Sequence, residues 1–257
     1  MKSLNFKGKN IQYQSLGNSS SPCLVLLHGY MENSTMWDKF HFLQQDYFLI
    51  LIDLPGHGES DVIFKRHSMA LQAHIVQQIL NLEGIQKAKF FGHSMGGYIA
   101  LAMAKYYPNY CNEIILFHSH PYADSKTKIA QRKSALNIVE NNKDRYCNLM
   151  IPNLFLDQKT HAREIDKMIQ EAKAMSKEGI MAAIEGMMRR PDYANFLQHL
   201  SINTSFILGA KDHLIPPLEE ILNQFPNHPI HVLNQAGHMS HIEDWDSCKK
   251  TVEKILN

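Results

Sequence analysis

Residues 90–98 read Phe-Phe-Gly-His-Ser-Met-Gly-Gly-Tyr, and this stretch limits the chain's architecture more than any other. An apolar strand runs into Gly-x-Ser-x-Gly, and a helix follows from Met95. A serine at so tight a strand-to-helix turn takes a strained backbone conformation with its hydroxyl pushed outward. The residues two before and two after it crowd the turn, so both must be small; here they are Gly92 and Gly96. The helix N-terminus presents its free amides to the same spot, where they would stabilise developing negative charge. On its own the pattern is common in glycine-rich loops; the strand before it and the helix after it give it meaning.

The surrounding sequence alternates strand and helix. Continuous apolar runs at Cys23–Leu27, Phe48–Ile52 and Ile114–Phe117 have the character of strands covered on both faces. Period-two alternation over Ile11–Leu16 predicts a half-buried antiparallel strand near an edge. A helix is expected from about Ser34, carrying Met36, Trp37, Phe40 and Leu43 on one face. Another is expected after the capping Ser68, with Leu71, Ile75, Ile79 and Leu82 inward. The implied fold is α/β, a mostly parallel sheet with helices on both faces, in which ligands bind beyond the carboxyl ends of the strands. His28, Asp53, Ser94 and His118 all follow such strand ends.

The alternation breaks from about residue 121 to 200. Amphipathic helices are expected around Lys126–Tyr146, Lys159–Lys177 and Glu178–Arg190, an insertion too long for a loop and placed to cover the rim. Its methionines suit an adaptable apolar wall, although residue by residue ordinary packing is the simpler role. It holds thirteen Lys or Arg against ten Asp or Glu. Arg189 and Arg190 could meet an anionic substrate or carrier, yet adjacent basic residues on a helix usually face solvent. The sheet resumes at Ser205–Gly209 and ends with Ile230–Leu233. A C-terminal helix carries Ile242, Trp245, Cys248, Val252 and Ile255. The expected organisation is a core of residues 1–120 and 201–257 with a helical cap of 121–200.

A serine needs a base to take its proton, and the base works best when a carboxylate fixes its tautomer. Asp212 and His238 each stand just past a late strand, giving the chain order Ser94, Asp212, His238. With 15 histidines in the chain, proximity of a histidine alone carries little weight. His28 and His93 are read as local packing groups, His57 as bracing a turn, and His213 as pointing away. His241 is an alternative base and Asp124 a rival acid, both ranked lower; Asp53 is read as structural, opening a Pro-Gly turn.

These motifs together resemble the α/β-hydrolase superfamily with a helical cap, in its serine esterase and lipase-like branch. The resemblance covers most of the chain, and none of its motifs is specific for a substrate. It implies Ser94 as nucleophile, His238 as general base and then acid, and Asp212 as the orienting carboxylate. It implies the backbone N–H groups of Tyr30 and Met95 as the oxyanion hole, and no metal or organic cofactor. An aspartate nucleophile, as in the dehalogenase and epoxide hydrolase branches, is excluded by Ser94.

The expected activity is acyl transfer from a small or acyl-chain carboxylic ester to water, through an acyl-enzyme. Monoacylglycerol-lipase-like action, cofactor-free perhydrolysis, C–C bond hydrolysis of dicarbonyl substrates and methyl-ester cleavage on a carrier protein are the chemical alternatives. A small-molecule sensor of the same fold is the non-enzymatic one. The net charge of +1 gives no nucleic-acid field, and the apolar runs are too short to span a membrane. Four separated cysteines without metal-ligand spacing, and no apolar signal-peptide core near Met1, lead to an expected cytoplasmic location.

Overall fold

The computed structural model describes residues 1–256. The apolar runs form the strands of a single sheet: β1 (Lys2–Phe6), β2 (Lys9–Leu16), β3 (Cys23–Leu27), β4 (Phe48–Ile52), β5 (Ala88–His93), β6 (Cys111–Phe117), β7 (Asn203–Gly209) and β8 (Ile230–Leu233). Their order across the sheet is β1-β2-β4-β3-β5-β6-β7-β8. β1 and β2 pair antiparallel, as do β2 and β4; every pair from β4 onward is parallel. The fold class expected from the alternation is therefore the one observed. The antiparallel strand expected near an edge is β2, which lies one place in from the edge strand β1.

The parallel strands are buried on both faces, and their side chains alternate between two cores. Val25, Ile50, Phe90 and Leu116 point to one face. There they meet α1 (Met69–Leu82) and α2 (Met95–Tyr106) through residues such as Ile75, Ile79 and Leu101. Leu24, Leu26, Phe91 and Phe117 point to the other, against Trp37 and Phe40 and against Cys248 and Val252 of the C-terminal helix. The segment Ser34–Gln45 carries its apolar residues inward as expected, but it winds as a 3₁₀ helix. In α1, Ser68 caps the first turn through Leu71 N–H, whereas Leu82, expected inward, is exposed.

Between β6 and β7 come α3 (Lys126–Asn141), α4 (Lys143–Met150), α5 (Ala162–Ala174), α6 (Lys177–Met188) and α7 (Ala194–Gln198). The expected helix through Tyr146 is split at Asn142, which is non-helical and caps α4 by accepting from Arg145 N–H. This insertion has its own apolar cluster, including Val139, Cys147, Ile165, Ile169 and Ile184. Met31 and Met239 join it from the sheet rim. After β7, α8 (Leu218–Gln224) precedes β8, and α9 (Ser240–Glu243) and α10 (Trp245–Leu256) close the chain. All four cysteines are free and buried. Among the described residues no helix is long and apolar enough to cross a membrane.

Candidate active site

β5 delivers Ser94 to the rim and α2 begins on the next residue. Ser94 has φ 49° and ψ −111°, a left-handed conformation that costs a non-glycine residue about 1–3 kcal/mol. Close packing enforces it. A Cβ on Gly92 would stand 2.4 Å from the Gly96 carbonyl, and one on Gly96 would stand 2.1 Å from Leu27 O. Ser94 N–H donates to Phe117 O and its carbonyl accepts from the Ser119 hydroxyl, so the turn is pinned to β6 from both sides.

Asp212 sits in the turn after β7 with its side chain fully buried. Its Oδ2 accepts from His238 Nδ1 at 2.8 Å, and its Oδ1 accepts from Leu214 N–H at 2.9 Å. Burial pushes this carboxyl's pKa up, but His238 and His118 outweigh it and hold the group well below the usual carboxylate range. With Nδ1–H committed to Asp212, the second nitrogen of a neutral His238 is unprotonated. His238 lines the same cavity as Ser94. No hydrogen bond joins the Ser94 hydroxyl to His238 among the described residues, a contact that often tightens only when substrate is bound. Tyr30 also lines this cavity, and Met95 opens α2 beside Ser94. Neither backbone N–H donates in any turn, loop or cap hydrogen bond.

Two further residues reach this constellation, and neither was assigned a role from the sequence. His118, at φ 48° just past β6, donates from Nδ1 to the same Asp212 oxygen at 3.1 Å. Its Nε2 accepts from the Ser240 hydroxyl at 2.7 Å. Burial drives its pKa down to about 4, so it serves as a neutral donor. The only hint in sequence was its position beyond a strand adjacent to that of Asp212.

Glu32 is the other, and it turns His93 from a packing residue into part of a network. Its Oε2 accepts from Gly29 N–H at 2.6 Å and from His93 Nδ1 at 2.8 Å. His93 Nε2 faces the carbonyl of His238 at 3.1 Å. Both ring nitrogens thus meet acceptors, which suits an imidazolium. Burial opposes that charge, yet Glu32 outweighs it and raises the His93 pKa, while His93 in turn holds the Glu32 pKa down to about 2. The pair ties the Gly29–Tyr30 turn to the His238 loop. It also explains Gly29, where a Cβ would lie 2.4 Å from the Glu32 carboxylate.

Two of the remaining candidates stand out from the rest. Asp53 accepts from Ser34 N–H and Glu59 N–H, a structural role. His57 Nδ1 bonds Pro55 O within its turn, and His213 is exposed. Asp124 contacts no histidine; it pairs with Arg132 and Arg190. Arg190 departs from expectation, because it is buried rather than solvated, while Arg189 is exposed and pairs with Glu185. His241, ranked below His238 as a base, is buried and lines a different cavity of about 260 Å³. That larger cavity shares Glu32 with the Ser94 cavity but contains none of Ser94, Asp212 or His238.

A family model described as alpha/beta hydrolase fold matches residues 22–137, which include Ser94 and both turns before it. The structure superposes with a TM-score of 0.88 on a malate-bound thermophilic esterase from Thermogutta terrifontis. The two are 27% identical, with 96% of this chain and 93% of that one covered. The chain has the α/β-hydrolase fold. Among its curated relatives is a 2-hydroxy-6-oxononadienedioate/2-hydroxy-6-oxononatrienedioate hydrolase of Burkholderia vietnamiensis. It is 26% identical, over 96% of this chain and 90% of the relative. A pimeloyl-[acyl-carrier protein] methyl ester esterase of Wigglesworthia glossinidia brevipalpis is also 26% identical, over 86% and 88% of the two chains.

Proposed function

We propose that this α/β-hydrolase cleaves carboxylic esters through Ser94, His238 and Asp212, with residues 121–200 as the lid over the site. The observation that carries the reading is the buried Asp212–His238 hydrogen bond, which orients an imidazole into the cavity that Ser94 lines. His238 Nε2 takes the proton as Ser94 Oγ attacks the carbonyl carbon. The carbonyl π electrons move to oxygen, and the N–H groups of Tyr30 and Met95 receive that oxyanion. Collapse of the intermediate breaks the C–O bond, and His238 returns its proton to the leaving alcohol. Water, deprotonated by the same nitrogen, then releases the acid. Nothing in this cycle needs a metal or an organic cofactor.

A p-nitrophenyl ester series of increasing acyl length tests the reading. Multiple rapid turnovers are expected, and Ser94→Ala should lower kcat by at least about 10⁴-fold with an unchanged fold by circular dichroism. Full activity in Ser94→Ala would overturn the mechanism. A single slow turnover with a ligand-dependent melting shift would favour a sensor instead.

One second reading has a specific support: the Burkholderia vietnamiensis relative, similar along nearly its whole length, is named a hydrolase of an oxo-dienedioate. In that reading the same groups cleave a C–C bond of a dicarbonyl substrate. Release of acid from a vinylogous diketone faster than from any ester of the series would select it.

A further inference from the structure

We propose that the substrate carries a carboxylate, held inside the Ser94 cavity by Lys128 and Arg132 of α3. The proposal rests on Ser94 being the nucleophile and names the kind of acyl group it attacks. Lys128 and Arg132 are four residues apart, so they share one face of α3, and both line the cavity with Ser94 and His238. The rest of the wall is largely apolar, with Met150, Leu154, Met187 and Leu214 among its residues.

The charges along this wall do not balance. Arg190 is engaged through two of its three guanidinium nitrogens. One guanidinium nitrogen donates to Asp124 and to Met187 O, Nε donates to Tyr122 O, and the group stacks 4.0 Å over the Tyr98 ring. Arg132 also leans on Asp124, so one carboxylate serves two guanidinium groups. Lys128 makes no hydrogen bond or ion pair from its ammonium among the described residues. Three cations therefore stand against one carboxylate. The other acids near the cavity are committed: Glu32 to His93, and Asp212 to His118 and His238.

Surrounding groups register this excess. Burial and then Arg132 lower the Lys128 pKa. Burial, then Arg190, Lys128 and Arg132, keep the neighbouring His120 neutral well below its ordinary range. A cation held partly out of water without a partner is costly, and an anion entering with the substrate removes that cost. The cavity is small, about 70 Å³, so a compact acyl group with its carboxylate at the far end fits it better than a long lipid chain.

The test uses two esters of one shape: the mono-p-nitrophenyl ester of glutarate, which is anionic, and the p-nitrophenyl ester of glutaramic acid, which is neutral. The expected kcat/KM for the anionic ester is at least tenfold higher at low salt. Lys128→Met should bring the ratio close to one, and Lys128→Arg should restore most of it. Equal kcat/KM for the two esters, or a ratio untouched by Lys128→Met, overturns the subsite while leaving the hydrolase reading intact. Calorimetry on Ser94→Ala separates binding from chemistry. Monomethyl glutarate, an anion, should bind at least tenfold more tightly than the neutral methyl ester of glutaramic acid, and the preference should vanish in Ser94→Ala/Lys128→Met. Monomethyl glutarate binding by this pattern with no turnover of either p-nitrophenyl ester supports the subsite and counts against the hydrolase reading; equal affinities overturn the subsite.

Discussion

Glu32 and His93 have almost no contact with water, and each favours the charged form of the other. Removing one charge of such a pair leaves its partner buried and alone, a loss of about 3–5 kcal/mol when the partner cannot adapt. His93 can adapt by losing a proton. Glu32→Gln should therefore shift the His93 imidazole to a lower pKa, read by NMR titration, and destabilise the fold at neutral pH. It should also lower kcat more than it raises KM, since the pair joins the Gly29–Tyr30 turn to the His238 backbone. An unchanged His93 titration would remove the ion pair from the account. His118→Ala tests the other side of the site. Asp212 loses one of its two histidine donors, so its carboxyl should titrate at higher pH than in the parent protein, and activity should fall at the acid end of the pH profile. That Ser94, Asp212 and His238 come together at one rim was legible because each stands at a recognisable strand end. The Glu32–His93 contact was not, because it spans 61 residues of sequence and depends on how two loops meet.

The helices between β6 and β7 are attached to the core in two different ways. α6 docks by backbone approach: Ala182 O accepts from His67 N–H, and Gly186 lies so close that a Cβ would stand 1.9 Å from His67 O. Gly179 meets Gly56 in the same manner, with its Cβ position 2.6 Å from Gly56 O. α4 and α5 instead pack through side chains, around Met31 and Met239. Gly186→Ala should therefore lift α6 off the 56–67 loop. In a free helix this change gains about 1 kcal/mol, so a net loss of about 1–3 kcal/mol in urea unfolding is a clear sign of the clash. Faster proteolysis within residues 121–200 should accompany it, and a stabilised Gly186→Ala protein would contradict the docking described. Helical periodicity made these elements readable one by one. It did not reveal that Arg190 is buried, because its partners Asp124 and Tyr122 come from the far end of the insertion. Nor did it reveal the break at Asn142, where a local cap wins over continued helix.

At the scale of the whole molecule the parallel sheet was legible because its strands are continuous apolar runs. β1 was not, since Lys2–Phe6 buries only Leu4 and Phe6 and becomes a strand by pairing with β2. The fold also buries several histidines whose pKa burial lowers, and they set how it responds to acid. Burial lowers the pKa of His67 and His118 to about 4 and of His241 to about 3; it holds His57 and His120 well below the ordinary range. As pH falls below the unfolded value of about 6.5, the unfolded chain binds protons that the native one refuses, so stability falls with pH. Each proton taken up only by the unfolded state contributes a slope of about 1.4 kcal/mol per pH unit. His93 acts in the opposite direction: its raised pKa gives stability below about 6.5 that is lost as pH rises through the folded value. One such residue does not offset five. Glu32 and Asp212, with depressed pKa values, add their own losses only below the ordinary carboxylate range. The urea midpoint should therefore drop between pH 7.5 and pH 5, before the carboxylates titrate. His241→Phe, which removes one buried imidazole, should flatten that drop. A midpoint that stays level or rises on acidification would mean that these histidines are protonated in the native state.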